Sequence, residues 1–147
     1  MSREYPDYPR VGVGAIVLHE GRVLLVKRGH APGLGLWSVP GGLVDVGETT
    51  VDAACREVKE ETGLKVRIAG LVGVLDRVTR DAEGRVRYHW VLVDYLAFPE
   101  SDDAITAGSD AAEVRWVTIE EVEQLPITEG LVDMIRRAVA LSRGGGA

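Results

Sequence analysis

The sequence predicts an α/β protein in which a mixed β-sheet is held between helices. Three observations carry that expectation. The runs Val11–Leu18, Val23–Val26, Lys65–Val78 and Val86–Phe98 are rich in β-branched and aromatic residues. A strongly patterned helix, Thr50–Thr62, falls between the second and third of them, and an amphipathic helix, Thr128–Leu141, closes the chain. Strands on both sides of a helix bury their apolar faces most simply as one sheet covered by helices. With 147 residues, 46% of them hydrophobic, the chain is expected to form one domain over residues 1–147.

Taken in order, Val11–Leu18 reads as a buried strand, and Gly21-Arg22 as a tight turn into the second strand, making a hairpin. The segment Gly29–Gly35 has loop chemistry, three glycines and a proline, before Leu36–Val39 returns to extended structure and Pro40-Gly41-Gly42 turns the chain. Leu43–Val46 is a candidate short strand. In Gly47-Glu48-Thr49-Thr50 a threonine can cap a helix while an acid sits at its positive end. Val51, Ala54, Cys55 and Val58 recur at the spacing of one helix face, which places Cys55 in the core, and Gly63 stops the helix. Asp81–Gly84 turns between the two long strands, and the acidic segment Pro99–Gly108 reads as a surface loop. Glu113–Val117 is a short strand leading through Thr118 into Ile119–Val122. Leu131, Ile135, Ala138 and Val139 form the buried side of the last helix. Residues 1–8 and 142–147 are expected to be flexible.

A net charge of -6 argues against a stable nucleic-acid partner, which would call for an excess of Lys and Arg. Cys55, the only cysteine, cannot form an intrachain disulfide, and the acidic residues and prolines of the first twenty positions are unlike a secretory signal. A cytoplasmic location is the expectation. The longest apolar run, Val11–Leu18, falls far short of the roughly 20 residues a membrane helix needs.

The chemistry concentrates between Gly42 and Leu64. On a helix advancing about 100° per residue, Glu57, Glu60 and Glu61 lie at about 0°, 300° and 40°, so their carboxylates share a face. Such a face is either a solvated stripe of salt bridges or a cluster whose mutual repulsion is relieved by a hard divalent cation, Mg²⁺ or Mn²⁺. The order Gly42, five residues, Glu48, seven residues, Arg56-Glu57-Val58, one residue, Glu60-Glu61, one residue, Gly63-Leu64 fills every fixed position of the Nudix box. By that motif the chain resembles the MutT-like Nudix hydrolases over nearly its whole length.

The resemblance implies an α/β/α sandwich and metal-dependent hydrolysis of a diphosphate bond in a small-molecule nucleotide. It implies that Glu57, Glu60 and Glu61 hold the metal, with the carbonyl beside Gly41-Gly42 as a further ligand. It also implies that Glu48 and Arg56 support the site. Helical geometry agrees, turning Arg56 one step away from Glu57, although a long arginine can still reach a phosphate. The segments GLWSVPGGLVDVGE and RYHWVLVDYLA look most like the ADP-ribose pyrophosphatase group. Oxidised nucleoside triphosphates and a non-catalytic nucleotide-sensing role stay open, and so does a homodimer using Val11–Leu18 as an edge strand.

Outside the box, several residues carry two readings each. The general base is a box glutamate or one of Asp110 and Glu113, and each of these two reads equally as a solvated loop charge. Arg28 either grips a phosphate or salt-bridges at the surface. Trp37 either stacks on a base or packs in the interior. Arg77, with Arg80, Arg85 and Arg87, either meets a phosphate or ribose or decorates a solvated hairpin tip. His30 and His89 lack metal-ligand spacing.

Overall fold

The computed structural model describes residues 3–30, 33–102, 104–108 and 110–144. Seven strands and three helices follow in the order β1 (Arg10–His19), β2 (Arg22–Arg28), β3 (Trp37–Ser38), β4 (Gly41–Leu43), α1 (Thr50–Thr62), β5 (Val66–Arg80), β6 (Val86–Pro99), β7 (Ala111–Thr118), α2 (Ile119–Val122) and α3 (Leu131–Ser142). The strands form one sheet in the order β3-β2-β1-β6-β5, with β4 on β1 and β7 on β2. The β1–β6 pairing is parallel and the others are antiparallel, so the sheet is mixed as expected.

Alternation along β1 sorts the core into two layers. Ala15 and Val17 pack with Val58, Leu64 and Val66 beneath α1, whereas Ile16 packs with Leu131, Met134, Ile135 and Ala138 of α3. This is the α/β/α sandwich. The expected β1–β2 hairpin is present but short, joined at Leu18–Val23 and His19–Arg22. Along the rest of its length β1 is flanked by β6 and β4, so Val11–Leu18 is an interior strand. The expectation that it offers an edge to a partner is therefore corrected; among the described residues β5 is an outer strand, with Leu71, Val74 and Val78 exposed.

Helix α1 has the predicted limits, because both of its ends are set by local chemistry. The Thr49 hydroxyl accepts from the Asp52 N–H at 3.1 Å, and Gly63 takes φ 78°, donating its N–H to the Lys59 carbonyl. The buried face is Ala53, Ala54, Val58 and Thr62. Val51 is 40% exposed, one position off the face assigned from the sequence, and Cys55 is half-buried with its thiol on the Val66 carbonyl.

Other boundaries shift modestly. The short strand β4 begins at Gly41 and ends at Leu43, earlier than expected, because Gly41 and Gly42 pair with Gly14 and Val13. Helix α3 starts at Leu131, three residues late, after Gly130 in the left-handed region at φ 81°. It runs through Ser142, where the tail was expected to be loose; residues 145–147 lie outside the described residues. The acidic loop after β6 docks on the end of α1, with Thr106 N–H donating to the Thr62 carbonyl and Gly108 N–H to that of Glu61, each at 2.8 Å. At the other terminus Tyr5 N–H donates to the Arg87 carbonyl at 2.7 Å. Among the described residues no helix is long and apolar enough to cross a membrane.

The Thr49 cap yields the first prediction. Thr49→Ala should lower unfolding free energy by about 1 kcal/mol in chemical denaturation, while Thr49→Ser should restore most of it.

Candidate active site

The site is built where the glycine turn lies against α1. A side-chain carbon on Gly41 would run into the Val13 carbonyl, and one on Gly42 would lie 2.6 Å from Glu57 Oε1. Only glycine at both positions lets the turn pair with β1 while the helix carboxylates lie flat on it. The Gly41 N–H donates to Glu61 Oε2 at 3.0 Å, fixing that carboxylate to the turn backbone.

Arg56 ties three segments together: the loop before α1, the end of β4 and α1 itself. Its Nε donates to Glu48 Oε2 at 2.7 Å and its Nη2 to Glu48 Oε1 at 3.0 Å, a two-point fork. Nη2 also donates to the Leu43 carbonyl at 2.9 Å, and Nη1 to Glu57 Oε1 at 2.8 Å and Glu60 Oε2 at 3.2 Å. Glu48 in turn closes the loop, its carboxylate accepting from the Asp45 N–H at 3.1 Å. The guanidinium thus grips the loop, as the sequence suggested. It also reaches back across one helical step to two of the glutamates, which the angular argument did not anticipate because it placed Cα vectors rather than a long flexible side chain.

Burial makes the carboxylates unlike one another. Glu61 is pushed up to about 8, chiefly by desolvation, with the Gly41 N–H opposing and the Glu57 and Asp110 charges reinforcing. Burial also raises Glu57, against the pull of Arg56. Glu48 is held below the usual carboxylate range by its hydrogen bonds from Arg56. Glu60 points outward, its side chain 58% exposed.

Among the described residues, no three His, Cys, Asp or Glu side chains stand close enough together to hold an ion as a ready-made cage. The donor set still fits a hard divalent cation. Glu57 and Glu61 offer carboxylate oxygens whose charge desolvation disfavours, and carboxylates destabilised in this way gain most from a cation. Glu60 shares Arg56 Nη1 with Glu57 and is the exposed member of the three.

The remaining candidates divide. Arg28 is half-buried at the end of β2; its guanidinium charge reaches Glu61, and desolvation lowers its own pKa. Asp110 also reaches Glu61 by its charge and lines a shallow cleft with Gly29, His30, Ala111 and Ala112. Glu113 is bound to Arg115 at 2.7 Å instead. Trp37 is 3% exposed in the α3-side core, so its ring is not available to stack on a base, and the packing reading is the one observed. Arg80, Arg85 and Arg87 are engaged with Gly84, Asp81 and Glu4 at the second hairpin, while Arg77 donates to the Glu129 carbonyl at 3.0 Å. Sequence reasoning passed over Asp94, a buried acid in β6. Its signal was present: a lone charge inside Val91-Leu92-Val93-Asp94-Tyr95-Leu96.

Comparison with known proteins identifies the family. The NUDIX domain model matches residues 8–138. The chain belongs to the Nudix hydrolase family. It is 34% identical to a protein of Methanocaldococcus jannaschii named ADP-ribose pyrophosphatase, covering 80% of this chain and 67% of that one. A Bacillus subtilis protein named putative 8-oxo-dGTP diphosphatase is likewise 34% identical over 73% of this chain and 65% of its own, so the chain spans about two thirds of the length of these relatives. Among solved structures, a MutT NUDIX hydrolase from Burkholderia pseudomallei superposes with a TM-score of 0.77 at 34% identity, covering 89% and 98% of the two chains. The NUDIX domain of Shewanella oneidensis NrtR, solved with ADP ribose, gives 0.75 at 26% identity over 93% and 90%.

Two predictions follow from the Nudix helix and its loop. Arg56→Lys, which keeps the charge but loses the fork, should lower stability by about 1–2 kcal/mol in urea titration. For Glu61, a raised folded pKa means that its contribution to stability is complete below the unfolded carboxylate range and is lost as pH rises through about 8. In EDTA, melting temperature should therefore fall between pH 5 and pH 8.5. The fall should be smaller in Glu61→Gln.

Proposed function

We propose that the protein hydrolyses the diphosphate bond of a nucleoside diphosphate derivative, ADP-ribose or a similar nucleotide sugar. Mg²⁺ or Mn²⁺ is held by Glu57, Glu60 and Glu61 with the Gly41 carbonyl. The observation that carries the reading is the placement of Glu57 and Glu61, two half-buried carboxylates with raised pKa, against the Gly41-Gly42 turn. When bound, the cation neutralises phosphate oxygens and lowers the pKa of a coordinated water.

The side chains around it have separable parts. Arg56 keeps Glu48, Leu43 and Glu57 in register and is a positioning residue rather than a substrate contact. Arg28 supplies positive charge beside Glu61 for a phosphate, which a chain of net charge -6 needs locally. Asp110, rather than Glu113, is the loop carboxylate suited to assist as general base, because its charge reaches Glu61 whereas Glu113 is paired with Arg115.

The relative named putative 8-oxo-dGTP diphosphatase supports a second reading, hydrolysis of oxidised nucleoside triphosphates by the same residues. A sensor without turnover is disfavoured by the complete glutamate set, since binding alone has no need of an activated water.

The test is a panel of ADP-ribose, NADH, diadenosine polyphosphates, capped RNA and oxidised dGTP with Mg²⁺, compared by kcat/KM. ADP-ribose is expected to lead. Glu57→Gln and Glu61→Gln should each lower kcat/KM about 100-fold or more with the far-ultraviolet circular dichroism unchanged. Full activity in both variants contradicts the metal role, and no turnover of any substrate contradicts the reaction.

A further inference from the structure

Asp94 is the buried acid that the proposed chemistry leaves unused. It is 7% exposed in β6, and among the described residues its carboxylate makes no hydrogen bond or ion pair. A carboxylate in that position is costly unless something donates to it. Without a partner, its oxygens are nevertheless not completely covered. What the carboxylate lacks is a donor, which a ligand group could bring.

Its surroundings connect it to the site. The side chain lies across Gly14: an added carbon there would meet Asp94 Oδ1 and sit 3.2 Å from Val39 Cγ2. Gly14 pairs with Gly41, whose N–H holds Glu61. The Arg77 charge reaches both Asp94 and Arg28, and the Arg28 charge reaches Glu61. Arg77 is itself anchored to the Glu129 carbonyl. A line of charged groups thus runs from the carboxylates of α1 to β6, with the phosphate-type cations in its middle and an acceptor at its end.

We propose that Asp94 is a specificity-determining residue that accepts hydrogen bonds from a donor edge on the nucleoside half of the substrate, a nucleobase amino group or a ribose hydroxyl. This deepens the proposed function and rests on it. An ionised carboxylate only accepts, so the matching ligand group carries N–H or O–H. A phosphate would be repelled, and a cation site would need further carboxylates, of which no grouping is found among the described residues. Gly14 belongs to the same arrangement, because any side chain there would displace the carboxylate.

Nucleoside monophosphates have no diphosphate bond and read this site without turnover. Titration calorimetry with AMP, GMP, IMP and 2′-deoxy-AMP in Mg²⁺ should show one of two preferences in the wild type. Either an amino-bearing nucleotide binds about tenfold more tightly than IMP, placing the base on Asp94, or AMP binds about tenfold more tightly than 2′-deoxy-AMP, placing the ribose there. Asp94→Asn should bring that ratio within about threefold. Ratios unchanged by Asp94→Asn, equal binding of all four, or no binding would overturn the proposal. A second readout needs no variant: the ¹³C resonance of the Asp94 carboxyl should move with the tight nucleotide and not with the weak one, and immobility with all four contradicts the assignment. A protein that shows these ratios yet hydrolyses none of the panel substrates would sink the proposed reaction and leave the binding role standing.

Discussion

The guanidinium of Arg56 is the joint on which the candidate site depends. One planar group bonds the loop before the helix through Glu48, the end of β4 through the Leu43 carbonyl, and the helix itself through Glu57 and Glu60. A fork of fixed geometry can satisfy partners on several segments at once, which a lysine cannot. Its own charge is stabilised in return, chiefly by the Glu48 hydrogen bonds. Without it the glycine turn would be held to α1 mainly through the Gly41–Glu61 hydrogen bond.

That joint also explains how acids are kept in an interior position. Glu57 and Glu61 lie half-buried against the Gly41-Gly42 pair, which has no side chains, and desolvation raises both pKa values. Arg56 offsets the penalty for Glu57, and Arg28 partly offsets it for Glu61. The remaining destabilisation is what a divalent cation would relieve. The fold therefore accepts an electrostatic cost at the place where metal-dependent hydrolysis would use it.

The parts legible in the sequence were those governed by near neighbours. The limits of α1 follow from a threonine cap and a left-handed glycine, and the long hairpin from β-rich runs around Asp81–Gly84. What could not be read depends on residues distant in sequence. The interior position of β1 follows from its parallel pairing with β6, from Arg10 with Trp90 to Val17 with Ala97, which strand propensity does not encode. Trp37 is buried because α2 and α3 return to cover it, and Val51 loses its place to Ala53 because the sheet beneath fixes the helix rotation. The sequence placed Arg56 and Glu48 together through motif spacing, but Arg28, Arg77 and Asp94 become neighbours only through the sheet.

If Glu57 and Glu61 hold the cation as proposed, its occupancy displaces a proton from Glu61. Calorimetric titration of Mn²⁺ at pH 7 in two buffers of different ionisation enthalpy measures the binding and its proton release together. With the Glu61 carboxyl pushed up to about 8, binding should release close to one proton, and Glu61→Gln should abolish the release and weaken the affinity. Equal affinity in wild type and Glu61→Gln, with no proton released by either, would contradict it.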